Sequence, residues 1–186
     1  MRKCAPAAAN LRNARGDRSA SRVAAAIIAR AADEVGRPPP RIAVIADDDL
    51  ADKFIDGLHT LGHCFVSLSR SEGFGLGGFD AATHGRPVIA VGYGGPVDYL
   101  GADWRGRVPH QMAPAENLSG YEWFEDGDGH FWPEPDDAAG FALMRDFAAD
   151  PAPFRAEAEA TLIRIRREFG AEAVTRRLLA ALDQVG

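Results

Sequence analysis

Apolar residues gather in short runs at residues 42–46, 64–68 and 87–92, at intervals too wide for hairpins, and that spacing limits what this chain can fold into. Each run is nearly continuous rather than alternating, the pattern of a parallel strand buried on both faces. Helix-forming stretches, residues 50–61 and 75–84, lie between them. Strands alternating with helices imply βαβ units with right-handed crossovers. The expected fold class is therefore α/β, a Rossmann-like parallel sheet with flanking helices. At 186 residues the chain is long enough for one substantial core and short for two full domains.

The flanks divide the chain further. Residues 1–40 are locally basic, with Arg2, Lys3, Arg12, Arg15, Arg18, Arg22, Arg30 and Arg37 against Asp17, Asp33 and Glu34. Within them Val23, Ile27, Ile28 and Ala31 predict a helix over 19–35 with one buried face, stopped by Gly36 and followed by the stiff link Pro38-Pro39-Pro40. This reading makes 1–40 a basic helical segment and link, and 41–186 the Rossmann-like domain. Residues 100–135 read as a long irregular stretch with scattered aromatics, Trp104, Tyr121, Trp123, Phe124, Phe131 and Trp132, and room for one strand over 107–110. Asp136 or Asp137 is placed to cap a helix reaching Ala149 that turns Phe141, Met144 and Phe147 inward. Two more helices, over 154–169 and 171–182, are expected to pack through Leu162, Ile165 and Phe169 and then Val174, Leu178 and Leu182.

Charge and cysteine usage exclude several function classes. Lys and Arg number 21 against 27 Asp and Glu, a formal charge of -6, so the mean field repels phosphate backbones and general nucleic-acid binding is not expected. Cys4 and Cys64 support neither a disulfide framework nor a thiolate zinc site, which fits a reducing, cytoplasmic setting. The longest apolar run, residues 23–29, falls well short of the roughly 20 residues that cross a bilayer, so no membrane span is expected. His59 and His63 are four apart, but Gly62 interrupts their helix and no third ligand is near, so no metal is expected there. Asp47-Asp48-Asp49 after the first strand has two readings, a magnesium site of receiver type or, preferred, a helix cap.

The segment 67–100, SLSRSEGFGLGGFDAATHGRPVIAVGYGGPVDYL, is the most informative. It begins at the carboxyl end of a strand and turns through glycines at 73, 75, 77 and 78 into a helix whose first backbone N–H groups have no internal partners. Those donors, the positive helix end and the missing side chains together favour an anion such as phosphate. Two carboxylates, Glu72 and Asp80, frame the turn with seven residues between them. A ribose attached to the bound phosphate would lie about one turn, roughly 5 Å, further along, within reach of an inward-facing Asp80. Equally, Asp80 decorates the first turns of a helix, where acids are favoured anyway, and Glu72 is a solvated loop acid.

The string Ser69-Arg-Ser-Glu-Gly-Phe-Gly-Leu, with Asp80-Ala-Ala, Gly85-Arg-Pro-Val-Ile and Gly94-Gly-Pro-Val-Asp-Tyr-Leu, resembles the donor-binding half of retaining glycosyltransferases of the GT-B fold, family 4 in particular. The resemblance covers about residues 41–182, its later part being Phe131-Trp-Pro-Glu-Pro-Asp and the terminal helices. It implies a glycosyltransferase donor domain that takes a nucleotide sugar as substrate, without a metal cofactor. Glu72 would be the catalytic acid beside the sugar and its phosphate. The amides of Phe74, Gly75 and Leu76 would hold the distal phosphate, with Gly73 beside them in the donor site, Asp80 would take the ribose hydroxyls, and Gly94 and Gly95 would keep the cleft floor open. The family pattern has Glu where this chain has Asp80, one methylene shorter. Arg2 and Lys3 sit about where the family's diphosphate-neutralising pair would fall. The acceptor-binding half and the opening strand of the donor half are expected to be missing, so an acceptor-binding partner is implied. The other reading from the same residues is a non-catalytic nucleotide-binding module or the donor-site subunit of a two-chain transferase.

Overall fold

The computed structural model describes residues 7–10, 19–45, 50–70, 72–115 and 129–184. The chain divides into two compact units, Met1–Gly57 and Leu58–Gly186. In the first, β1 (Ala7–Asn10) pairs in parallel with β2 (Ile42–Ile45), Ala7 opposite Ile42 through Asn10 opposite Ile45, and α1 (Ser19–Val35) connects them. This opening strand is absent from the sequence expectation because Ala-Ala-Ala-Asn carries none of the β-branched or aromatic residues that mark strands. The proline link therefore falls inside the first unit, between α1 and the strand that pairs with β1. Its β2 is exposed at one end and half-buried at the other, so the expectation of burial on both faces fails there.

The α2 helix (Asp52–Leu61) runs across the boundary, and the second unit continues with β3 (Phe65–Ser67), α3 (Leu76–Thr83), β4 (Val88–Val91), α4 (Gly95–Leu100) and β5 (Arg107–Val108). The strands form a parallel sheet in the order β3-β4-β5, with Phe65 opposite Val88 and Val91 opposite Val108. The unit is thus α/β with a three-stranded parallel sheet flanked by helices, Rossmann-like in kind. Central β4 is buried along its whole length, as the apolar run predicts, whereas edge strand β3 leaves Val66 exposed. Arg86 closes the approach to β4 by donating to the carbonyls of His59 and Thr60 at the end of α2, at 2.9 and 2.6 Å.

The described parts of residues 100–135 hold more strand than the single one expected over 107–110. After β5 come β6 (His110–Pro114) and β7 (Phe131–Pro135), an antiparallel pair with His110 opposite Pro135. Pro133 and Pro135 argue against a central strand, but each strand of a two-stranded ribbon has a free edge where a missing N–H is tolerated. Tyr121, Trp123 and Phe124 lie outside the described residues, as do Asp47 to Asp49.

Three helices follow, α5 (Asp137–Ala149), α6 (Ala152–Phe169) and α7 (Ala171–Leu182). Asp136 is the cap of α5, its Oδ1 accepting from the N–H of Ala139 at 2.9 Å. The core gathers Ala81, Ala82, Val88, Ala90, Tyr99, Leu100, Trp104 and Ile165, with Phe65, Phe79 and Phe169 packed against it. Trp104 satisfies its indole N–H on the Val88 carbonyl at 3.1 Å. Not every expected inward residue is inward: Phe141 on α5 is exposed, and so are Val174, Leu178 and Leu182, because α7 is terminal and rests chiefly on α6. Among the described residues no helix is long and apolar enough to cross a membrane.

Ile165 is 2% exposed and Leu178 59% exposed, so the two truncations separate core from surface. Ile165→Ala is expected to cost about 2–5 kcal/mol and Leu178→Ala less than about 1 kcal/mol, read from urea unfolding midpoints.

Candidate functional site

The carboxyl ends of β3 and β4 open into a cleft of about 100 Å³. Ser67, Ser69, Arg70 and Glu72 line it from the β3 side, Ala90, Val91 and Tyr93 from the β4 side, and Gly75, Gly77 and Gly78 from the start of α3. Phe65 of β3, Pro96 and Tyr99 of α4 and Pro133 of β7 complete the wall. In open parallel sheets this end of the strands is where ligands bind, because the loops there leave the sheet and part.

Gly75 makes the turn. It is the residue before α3 and sits at φ 75, ψ 54, a left-handed conformation that strains any residue with a Cβ. Its carbonyl accepts from the Phe79 N–H at 3.0 Å and from the Tyr99 hydroxyl at 3.0 Å. No side chain caps α3, and among the described residues nothing accepts from the N–H groups of Leu76, Gly77 and Gly78. The contrast with α5 is direct, since Asp136 occupies that helix's entrance and α3 keeps its entrance bare. Unpaired donors at the positive end of a helix form an anion-binding surface.

A second loop holds the first from behind. The Gly95 N–H donates to the Gly73 carbonyl at 2.9 Å. A Cβ on Gly94 would stand 2.7 Å from the Glu72 carbonyl oxygen, and one on Gly95 would run into the Phe74 backbone. These two glycines therefore serve close contact between the loops and do not line the cleft, a different place from the open floor expected of them. Phe74 likewise turns its ring away, against Phe79 and Tyr99 with centroids 5.0 and 5.4 Å apart.

Tyr99 is fully buried beneath the turn. Burial pushes its hydroxyl well above the ordinary phenol range, and the negative charges of Glu72 and Asp80 push it further. Both acids thus act on one point, although Glu72 is exposed and lines the cleft while Asp80 is half-buried and does not. Burial also pushes the Cys64 thiol up to about 12, so at neutral pH it stays protonated and is a poor nucleophile.

Of the residues expected from sequence, Glu72 and Gly75 line the cleft; Gly73, Phe74, Leu76, Asp80, Gly94 and Gly95 stand around it. Arg2 and Lys3 lie outside the described residues. Gly77 and Gly78 replace Phe74 and Leu76 as lining, because the left-handed step at Gly75 swings its neighbours outward, Leu76 to 66% exposure. Tyr99, Tyr93 and Arg70 are in the wall without having been singled out. Arg70 lies within the Ser69–Leu76 string, and its position in the loop that leaves the carboxyl end of β3 is the signal that would have found it. Among the described residues no three His, Cys, Asp or Glu side chains cluster as a metal site would require. No protein-family model and no curated protein matches the chain.

Tyr99→Phe removes the hydroxyl from the Gly75 carbonyl and is expected to cost about 1 kcal/mol near pH 8. An unfolded tyrosine loses its proton near pH 10 while the native phenol keeps it, so wild-type stability falls above about pH 10, by up to ~1.4 kcal/mol per pH unit. Phenylalanine lacks that dependence, and urea titrations at pH 8 and 10.5 should show the gap between the two proteins narrowing.

Proposed function

We propose that the Leu58–Gly186 unit binds a nucleotide-activated sugar and acts as the donor domain of a retaining, GT-B-type glycosyltransferase, the acceptor being supplied by a second domain or chain. One observation carries this reading: the uncapped, glycine-bared first turn of α3 faces a cleft at the strand carboxyl ends with the Glu72 carboxylate at its rim. A diphosphate set on Leu76, Gly77 and Gly78 would meet fixed N–H donors that need no reorganisation as the leaving group gains charge. Glu72 would then lie beside the sugar and its phosphate. Asp80, further along α3, would take the ribose hydroxyls from the side.

The position of Asp80 outside the cleft lining favours a second reading, nucleotide binding without transfer. The two readings share the phosphate site and differ in chemistry. Titration calorimetry with a panel of nucleoside diphosphates and with pyrophosphate tests the shared part. Asp80→Ala is expected to weaken the best nucleoside diphosphate about ten- to a hundredfold, the worth of a charged hydrogen bond, and pyrophosphate less than about twofold. Equal losses for both ligands would place the acid away from the ribose. For the chemistry, mass spectrometry of mixtures with nucleotide sugars and simple glycoside acceptors is expected to show transfer only when an acceptor-binding partner is added. Nucleotide binding with no transfer under any partner would favour the second reading.

A further inference from the structure

Arg70 follows β3 and is the single basic residue in the cleft wall among the described residues. Its guanidinium is held on two sides. Nε donates to Glu134 Oε2 at 2.6 Å and Nη2 to Glu134 Oε1 at 2.9 Å, a forked pair between the β3 turn and β7. The Trp132 ring lies 5.1 Å from the guanidinium carbon, giving it a flat support. Neither Glu134 nor Trp132 lines the cleft, whereas Arg70 does. The fork uses two of the five guanidinium N–H groups, and Nη1 takes no part in it. An exposed ion pair of this kind adds little to stability, so its consequence is orientation: the side chain is already ordered when a ligand arrives.

We infer that Arg70 is a cation that binds phosphate in this cleft, with Glu134 as its positioning residue and Trp132 as its platform. The inference rests on the reading of the cleft as a phosphate site and adds the positive charge that backbone amides alone do not provide. Among the described residues Glu72 is the other charged residue in the wall, so the arrangement offers one carboxylate and one guanidinium to a ligand that carries both hydroxyls and phosphate. A planar guanidinium can present two parallel donors to one phosphate, which a lysine cannot do.

The test is pyrophosphate affinity by calorimetry on the full chain, with unfolding midpoints measured alongside. Arg70→Ala is expected to weaken pyrophosphate about ten- to a hundredfold and Arg70→Lys to recover part of that loss. Glu134→Gln is expected to weaken it severalfold in the wild-type background and to have no further effect in Arg70→Ala, because its influence runs through the guanidinium. Wild-type binding that survives unchanged in Arg70→Ala would overturn the assignment of Arg70 while leaving the glycine turn as a phosphate site. Independent, additive losses would overturn the positioning role of Glu134. Absence of wild-type affinity for pyrophosphate and for every nucleoside diphosphate would overturn the phosphate reading itself, and this inference with it. If Arg70→Ala does not fold, Arg70→Lys and Glu134→Gln decide the matter, and unchanged affinity in both would overturn the inference.

Discussion

Two hydrogen bonds onto the glycine turn set the geometry on which the cleft depends. The Gly95 amide holds the Gly73 carbonyl and the Tyr99 hydroxyl holds the Gly75 carbonyl, so the turn after β3 is pinned to the start of α4. Side chains at 94 or 95 would force the loops apart. The pin is anchored in turn, because Arg164 on α6 donates to the Tyr99 carbonyl and Phe169 at the end of α6 packs edge-on against Phe79. A helix that touches no part of the cleft thereby fixes the orientation of the amides that face it. Preorganised donors of this sort stabilise an anion more effectively than donors that must first be aligned.

Two helix entrances of the second unit, those of α3 and α5, differ in how they are capped. Asp136 closes α5 with its own carboxylate, the ordinary way to satisfy orphan N–H groups. Gly75 has no side chain to offer, and the residues that follow it leave the donors of α3 uncovered. An uncapped helix start costs stability in the empty protein and gains it back when an anion arrives. The glycines of this entrance also serve packing, since a Cβ on Gly77 would stand 3.0 Å from the Phe65 ring and one on Gly78 2.6 Å from the Tyr99 hydroxyl.

Much of this was legible in the residues. Continuous apolar runs located β3 and β4, and the glycines after Glu72 located the turn, because burial and left-handed backbone both leave strong compositional marks. What escaped detection depended on tertiary context. β1 is an alanine strand whose only argument for being extended is the register it shares with Ile42–Ile45. The β6–β7 ribbon hid behind its prolines, which exclude a central strand but not a two-stranded one. Within the site, which amides face the cleft is decided by a single backbone dihedral at Gly75, and spacing alone cannot place that step. The pairing of Arg70 with Glu134 joins residues 64 positions apart, beyond the reach of any local pattern.

Two of the chain's three indole rings, the two among the described residues, occupy opposite surroundings. Trp104 is buried with its N–H on a strand carbonyl, and Trp132 is half-exposed beneath a guanidinium that belongs to the cleft wall. Two chromophores in such unlike environments differ in emission wavelength and in access to quenchers. Trp104 therefore reports the integrity of the sheet, while Trp132 reports the electric field and solvent at the mouth of the cleft, giving the protein a built-in optical distinction between losing its fold and rearranging its entrance.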